Sequence, residues 1–352
     1  MTQRIAVVFG AFAPLHRGHI DLIQRAKRQC DRVRVVVSGY AGDRGEVVGL
    51  NLQKRFRYIR EAFRDDELTS VYKLDESQVP RYPLGWDIWL NHLLQTIAYR
   101  EEEEELTFFV GEEAYAKELD QRGFSSQLEK RRFGISSTMI RENPSRYWSY
   151  IAQPFRRQFT KKVLIMGSAS NGKTTLAKDL ARFYDAPVSL EYAREYQVKN
   201  NVRDDELTPK DYYYLLLGQY DQTSQLIESQ ANRGLVIADT NSLVTKGYYD
   251  YYLDQVGEEP APSATFDNLF VSLLAKEKWD LILFTQPVGT YVDDGFRDMT
   301  MADSQTRLHF SHYLDELRQQ HLPDIPVTYL TGNYLENYES AKEAIDHIYS
   351  IA

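Results

Sequence analysis

The stretch KKVLIMGSASNGKTT, residues 161–175, carries a short apolar run into Gly167-Ser168-Ala169-Ser170-Asn171-Gly172-Lys173-Thr174. This is the pattern G-x-x-x-x-G-K-[ST]. Its glycines let the backbone turn so that successive N–H groups face an anion, its lysine reaches the outer phosphates, and its hydroxyl can ligate Mg²⁺. The run TTLAKDLARFY that follows reads as a helix whose positive end points at the same anion. A chance lysine on a glycine turn would lack this strand–loop–helix context. Gly167, Ser170, Asn171, Gly172, Thr174 and Thr175 are therefore phosphate-binding candidates, and Lys173 is a catalytic one.

Outward from this loop, apolar runs alternate with helical patterns: APVSLEY, LVIADT, WDLILFT and PVTYLTG are further strands of a parallel α/β sheet. Carboxylates at the carboxyl ends of such strands face the ligand crevice. Glu191 and Asp239 hold these positions: one can hold Mg²⁺ while the other accepts a hydroxyl proton from an acceptor. An ion pair with Arg194 is the structural alternative for Glu191. The loop YVDDGFRD, residues 291–298, offers a tyrosine, two carboxylates and an arginine, which suit a lid over a ribose and a transferring phosphate. An exposed polar loop is the plainer reading of the same residues.

The loop begins in mid-chain, so the first half needs its own account. There, residues 5–9 read as a buried strand, 10–18 as a loop and 19–30 as a helix with Ile20, Ile23, Ala26 and Cys30 on one face. RVRVVVSG (32–39) is a second strand, 52–63 a basic amphipathic helix, and TSVYKLDES and LTFFVGEE are further strands around a helix over 86–99. The glutamates at 101–105 read as a solvated helix end. His16, Gly18 and His19 form H-x-G-H at the mouth of the first helix, where two imidazoles and helix amides can face one anion. A metal site would need further ligands nearby, and Cys30 falls on the buried face. In GISSTMIRENP (134–144), Ser136, Ser137 and Thr138 can cap a helix whose first turn carries Arg141, a second anion site.

The segment NPSRYWSYIAQPFRRQF (143–159) joins the two patterns. Its aromatics predict a packed connector, with the boundary near Thr160 and domains at 1–159 and 160–352. The 352 residues suffice for two domains of ordinary size. A net charge of −9 argues against a general nucleic-acid binder. Cys30 is the only cysteine, so no intrachain disulfide forms, which fits a cytoplasmic protein. No apolar run is long enough for a membrane span, and the first residues do not resemble a signal peptide.

G-x-F-x-P-x-H-x-G-H over 10–19, with Gly10 and Phe12 as its opening members, and I-S-S-T-x-I-R over 135–141 resemble the nucleotidylyltransferase superfamily. RYPLGWDIWL (81–90), LEYAREY, VIADTN and YVDDGFR narrow the resemblance. The chain is similar, nearly end to end and in matching order, to the bifunctional nicotinamide mononucleotide adenylyltransferases joined to a ribosylnicotinamide kinase.

The resemblance implies a Rossmann-like nucleotidylyltransferase domain followed by a P-loop kinase domain with a parallel sheet. It implies Mg²⁺ and two molecules of ATP as requirements, with nicotinamide riboside, nicotinamide mononucleotide and NAD as ligands. No nucleic acid or membrane insertion is expected, and a homo-oligomer is compatible. His16 and His19 would hold the reacting phosphates of one ATP, with Ser136, Ser137, Thr138 and Arg141 on the outer ones. Trp86 would stack on nicotinamide or else be core. Arg55 and Arg57 are weaker phosphate candidates, since on a helix they point to different faces. In the kinase, Thr174 and Asp239 would hold the metal, and Tyr192, Arg194, Asp293, Asp294 and Arg297 the riboside. Glu191 and Asp239 both remain candidates for the base.

Two departures stand out. The first strand begins so early that an N-terminal helix-turn-helix repressor domain, present in some members, is not expected. Asn241 stands where the family often has aspartate, so Mg²⁺ or riboside contacts are expected to differ there. A pantetheine-phosphate adenylyltransferase fused to a kinase is a rival that the Trp86 segment and YVDDGFR oppose. A nucleotide-sensing regulator with one weakened domain is the rival from another class.

Overall fold

A computed structural model describes residues 2–81, 84–130, 132–256, 263–287, 291, 293 and 295–349. The chain divides into two compact units, Met1–Phe159 and Thr160–Ala352.

The first unit runs β1 (Gln3–Gly10), α1 (Arg17–Gln29), β2 (Arg32–Gly39), α2 (Leu52–Ala62), β3 (Thr69–Asp75), α3 (Trp86–Thr96), β4 (Glu104–Val110), α4 (Glu113–Gln121), β5 (Ser125–Leu128), α5 (Ser137–Glu142) and the short α6 (Gln153–Arg156). Its five strands are parallel in the order β3-β2-β1-β4-β5. The order reverses between β1 and β4, and in open α/β sheets the crevice beyond that switch point is where ligands bind. Both faces are covered, so the strands read as continuous apolar runs: Ile5, Ala6, Val7 and Val8 are all buried.

Two expectations change here. Helix α1 starts at Arg17, two residues earlier than the apolar periodicity suggests. His16 serves as its N-cap, its Nδ1 accepting from the Gly18 N–H at 3.2 Å. The glutamate run is not a helix end. Helix α3 stops at Thr96, and Glu104 opens β4, where it is buried and takes both guanidinium nitrogens of Arg34 at 2.6 and 2.8 Å. A bidentate partner is what allows a carboxylate to be buried; the Arg34 bond, then the amide of Arg100, hold the Glu104 carboxyl below its ordinary value against the effect of burial.

The connector packs onto the first unit. Trp148, Ile151 and Phe155 are buried in its core, Ile151 bridges to His16, and the Ala152 N–H donates to the Leu15 carbonyl at 3.1 Å.

The second unit runs β6 (Lys161–Met166), α7 (Lys173–Tyr184), β7 (Val188–Ser189), α8 (Tyr192–Asn200), α9 (Pro209–Glu228), β8 (Leu235–Asp239), α10 (Ser242–Val256), α11 (Ser263–Leu274), β9 (Leu281–Thr285), α12 (Ser304–His321), β10 (Val327–Leu330) and α13 (Tyr334–Ile348). Its strands are parallel in the order β10-β9-β6-β8-β7. The phosphate-loop strand β6 is central, and its register sets Ile165 beside Asp239. Strand β7 is only two residues long, so Glu191 does not end it but stands at the N-cap of α8. Among the described residues, no helix is long and apolar enough to cross a membrane.

Candidate active sites

In the first unit, the β1–α1 loop and the 136–141 segment come together over the end of β1. The His16 and His19 rings stack with centroids 3.7 Å apart, and Phe12 meets His19 edge-on at 5.0 Å. Because His16 Nδ1 accepts a hydrogen bond, a neutral His16 carries its proton on Nε2. Gly18 keeps this arrangement uncrowded: a Cβ there would stand 3.1 Å from the His16 ring and press on it.

Ser136 caps α5 by accepting from the Met139 N–H at 3.2 Å. Ser137 donates to the Pro14 carbonyl at 3.0 Å, and Arg141 donates to the Ala13 carbonyl at 2.6 Å and to Thr138 Oγ1 at 2.9 Å. The two sequence motifs are therefore bonded to each other. Burial, then neighbouring Arg44, lower the Arg141 pKa; these paired cations make the wall attractive to an anion.

These residues border a cavity of about 780 Å³ together with Gly10, Tyr40, Arg81, Trp89 and Tyr115. Trp86 is a core residue that also reaches the cavity. It stacks on Trp89 and Tyr115 at 4.8 and 5.6 Å.

Arg55 is not at this site. It is fully buried beneath it, donating to the carbonyls of Ala11 at 2.7 Å and Ser38 at 3.2 Å and pairing with Asp43. Arg57 is exposed on the other side of α2.

In the second unit, the phosphate loop follows β6. Gly167 has φ +143°, and a Cβ there would run into the Thr285 carbonyl of β9 at 2.5 Å, so its glycine answers the neighbouring strand as well as the turn. Ser170 holds φ +63°, a left-handed conformation that costs a non-glycine residue energy and is found at ligand sites. Lys173 Nζ donates to the Ser168 carbonyl at 2.8 Å, and Asn171 Nδ2 to Ser168 Oγ at 2.9 Å.

Thr174 Oγ1 donates to Asp239 Oδ2, while Asp239 Oδ1 is buried and has no partner among the described residues. Burial pushes the Asp239 carboxyl up to about 6; Lys173 and the Thr174 bond oppose this, and Glu191 adds to it. A buried carboxylate oxygen lacking a donor, beside a threonine hydroxyl at a phosphate loop, fits a hard divalent cation that keeps waters and phosphate oxygens as its other ligands. Among the described residues no cluster of three metal-ligating side chains exists, and such a cation does not need one.

A cavity of about 340 Å³ opens here, bordered by Ser170 to Thr175 of the loop and by Glu191, Arg194 and Arg297. Arg194 lies over the Phe296 ring at 5.5 Å, and Arg297 reaches Ser170 Oγ at 3.4 Å. Tyr192 is not on the cavity wall. Its N–H donates to Gln219, and its ring packs on α9 at Gly218, where a Cβ would collide with it. Asp293 is exposed and accepts from the Gly295 N–H at 2.8 Å, and Asp294 lies outside the described residues.

The tertiary structure adds wall residues that no motif marked: Gln197, Asp204, Tyr212, Tyr248 and Tyr252. Asp204 is raised by burial and accepts from Gln197 Nε2 at 2.6 Å. The i, i+4 spacing of Tyr248 and Tyr252, in the run YYDYY, was the available sign that both face one way.

Comparison with known proteins accords with this geometry. Residues 7–143 match the cytidylyltransferase-like family, and residues 162–335 match the AAA domain family. The trifunctional NAD biosynthesis/regulator protein NadR of Salmonella typhimurium is 31% identical over 358 residues, covering 97% of this chain and 83% of that one. The chain belongs to the NadR family. A crystal structure of a NadR protein in complex with NR is 38% identical, with a TM-score of 0.89, covering 100% of this chain and 97% of that one. Another, in complex with NAD and AMP-PNP, is 39% identical with a TM-score of 0.84, covering 98% and 96%. The two parallel-sheet units are thus the nucleotidyltransferase-like and P-loop halves of a NadR architecture.

Asn241, the departure from the family pattern, does not face the cavity. It is buried and donates from Nδ2 to Glu277 at 3.0 Å, while its Oδ1 accepts from the Val244 N–H at 3.3 Å. The expectation that it alters direct metal or riboside contacts is therefore corrected: the chain turns its side chain away from the ligand space.

Proposed function

We propose that this protein phosphorylates nicotinamide riboside with ATP and then adenylylates the mononucleotide with a second ATP, giving NAD and pyrophosphate. The observation that carries this reading is the match, over essentially the whole chain, to NadR structures holding NR, NAD and AMP-PNP. The kinase reaction belongs to residues 160–352 and the adenylyl transfer to residues 1–159.

In the kinase, Lys173 and the loop amides hold the phosphates, and Arg297 joins them from the 291–298 loop. Bound Mg²⁺, held through Thr174 and Asp239, would neutralise charge on the phosphate oxygens. The bond from Thr174 to one oxygen of Asp239 supports reading Asp239 as the metal-side carboxylate. Glu191, across the same cavity, then takes the 5′-hydroxyl proton as that oxygen bonds to the γ-phosphorus and ADP leaves. Arg194 and Asp204 position the riboside.

In the adenylyltransferase, a mononucleotide phosphate oxygen bonds to the α-phosphorus and pyrophosphate leaves. The nucleophile is already anionic, so no base is needed. The work is positioning and charge stabilisation, by His16 and His19 at the reacting phosphate and by Ser136, Ser137, Thr138 and Arg141 beyond it. Trp86 borders the nicotinamide end.

The test is incubation with nicotinamide riboside, ATP and Mg²⁺, following both products. Lys173→Ala is expected to abolish NAD formation from riboside and to keep it from the mononucleotide. No mononucleotide from riboside with the native protein would sink the kinase assignment; loss of both reactions in the variant would mean that the halves are not independent.

A further inference from the structure

Behind the kinase cavity, on the connection between α11 and β9, Glu277 turns its carboxylate toward the start of α10. Four donors meet it. Asn241 Nδ2 at 3.0 Å and Trp279 Nε1 at 3.4 Å reach one oxygen, and the Ser242 N–H at 3.3 Å and the Ser242 hydroxyl at 2.5 Å reach the other. Burial raises the Glu277 carboxyl and these bonds oppose the rise. Glu277 itself does not border the cavity.

What it holds does border it. Asn241 accepts from the Val244 N–H through its side chain and from the Thr245 N–H through its carbonyl, at 3.3 and 3.2 Å. Val244, Thr245 and Tyr248, on the first turns of α10, line the cavity, as does Thr240. Thr240 stands between Asp239 and Asn241 with φ +108°. That is a steep cost for a β-branched residue, and it persists only where the surroundings over-determine it.

We infer that Glu277 is a positioning residue of phosphoryl transfer: through Asn241 and Ser242 it clamps the strained 240–242 turn. The clamp fixes both Asp239, immediately before the turn, and the cavity face of α10, immediately after it. This inference rests on the reading that the second unit phosphorylates nicotinamide riboside.

The experiment compares Glu277→Ala and Glu277→Gln in the full-length protein. Alanine removes all four acceptor contacts. Glutamine restores three, with Oε1 facing Asn241 and Trp279 and Nε2 donating to the Ser242 hydroxyl. Riboside phosphorylation by Glu277→Ala is expected to fall about tenfold in kcat, with KM for ATP moved less than about twofold. Glu277→Gln should recover most of the rate, and NAD formation from the mononucleotide, which the other unit carries, should be unchanged in both.

Amide exchange at Val244, whose N–H is held by Asn241, should quicken in Glu277→Ala and slow again in Glu277→Gln, whereas the Ser242 amide, which loses its acceptor in both variants, should quicken in both. A native kcat per folded molecule in Glu277→Ala, or a glutamine variant no better than the alanine one, would overturn the inference. If the native protein does not phosphorylate riboside at all, the functional reading fails instead. Amide exchange then decides the clamp alone: unchanged exchange in Glu277→Ala overturns it, and faster exchange supports it.

Discussion

Asp239 is a buried carboxyl whose placement weighs on stability. Its carboxyl stands at about 6 against an ordinary 3.8. Between those values the native state binds the proton more tightly than the unfolded chain does. The stabilising effect is therefore full at low pH and is lost as pH rises through about 6, a span worth about 3 kcal/mol. Asp239→Asn is accordingly expected to raise the unfolding midpoint of the metal-free protein by several degrees at about pH 7.5, and to leave it little changed at about pH 4. Calorimetry at the two pH values checks this, and the same variant should lose riboside phosphorylation. The sequence marked this residue because strand-end carboxylates face a crevice. It did not show the hydroxyl that Thr174 turns to one oxygen, because residues 65 positions apart meet only through the β6–β8 register.

Single side chains also tie elements together. Arg55, from α2, holds the ends of two strands at once through the Ala11 and Ser38 carbonyls and through Asp43. It is fully buried, so removing it strands a buried carboxylate and two carbonyls. Arg55→Ala is expected to cost the first unit about 3–5 kcal/mol, measured by denaturant unfolding. Phosphate binding by the folded fraction should persist, because Arg55 does not border the cavity. On periodicity alone Arg55 looked like a weak ligand for phosphate. Its neighbours, which only the fold supplies, make it a strut. The same limit explains Tyr192. Its place beside Glu191 suggested substrate, but the first turn of α8 swings its ring onto α9 at Gly218.

At the scale of the molecule, each unit has its own sheet and its own cores, on either side of residue 160. Two unfolding transitions are expected by calorimetry. Nicotinamide riboside with AMP-PNP should raise one and NAD the other, since a ligand stabilises the unit it binds. A single transition raised equally by both ligands would count against independent units. The break was legible in the chain because one strand–helix alternation stops and another starts. The packing of the 143–159 connector was legible too, in its aromatics, but not the surface it would cover.

The sequence by itself determined the two α/β patterns, their order and many of the groups that border the two cavities: His16 and His19, the serines and arginine of 136–141, and the loop residues up to Thr174. These are local signals, in which a glycine, a cap or a lysine works within a few residues of the strand that carries it. Only the tertiary structure decided which buried polar groups surround those sites: Asp204 against Gln197, Tyr248 and Tyr252 on one wall, and Glu277 behind Asn241. The reason is physical. A buried polar group is placed by the donors that satisfy it, and here those donors come from elements distant in the chain.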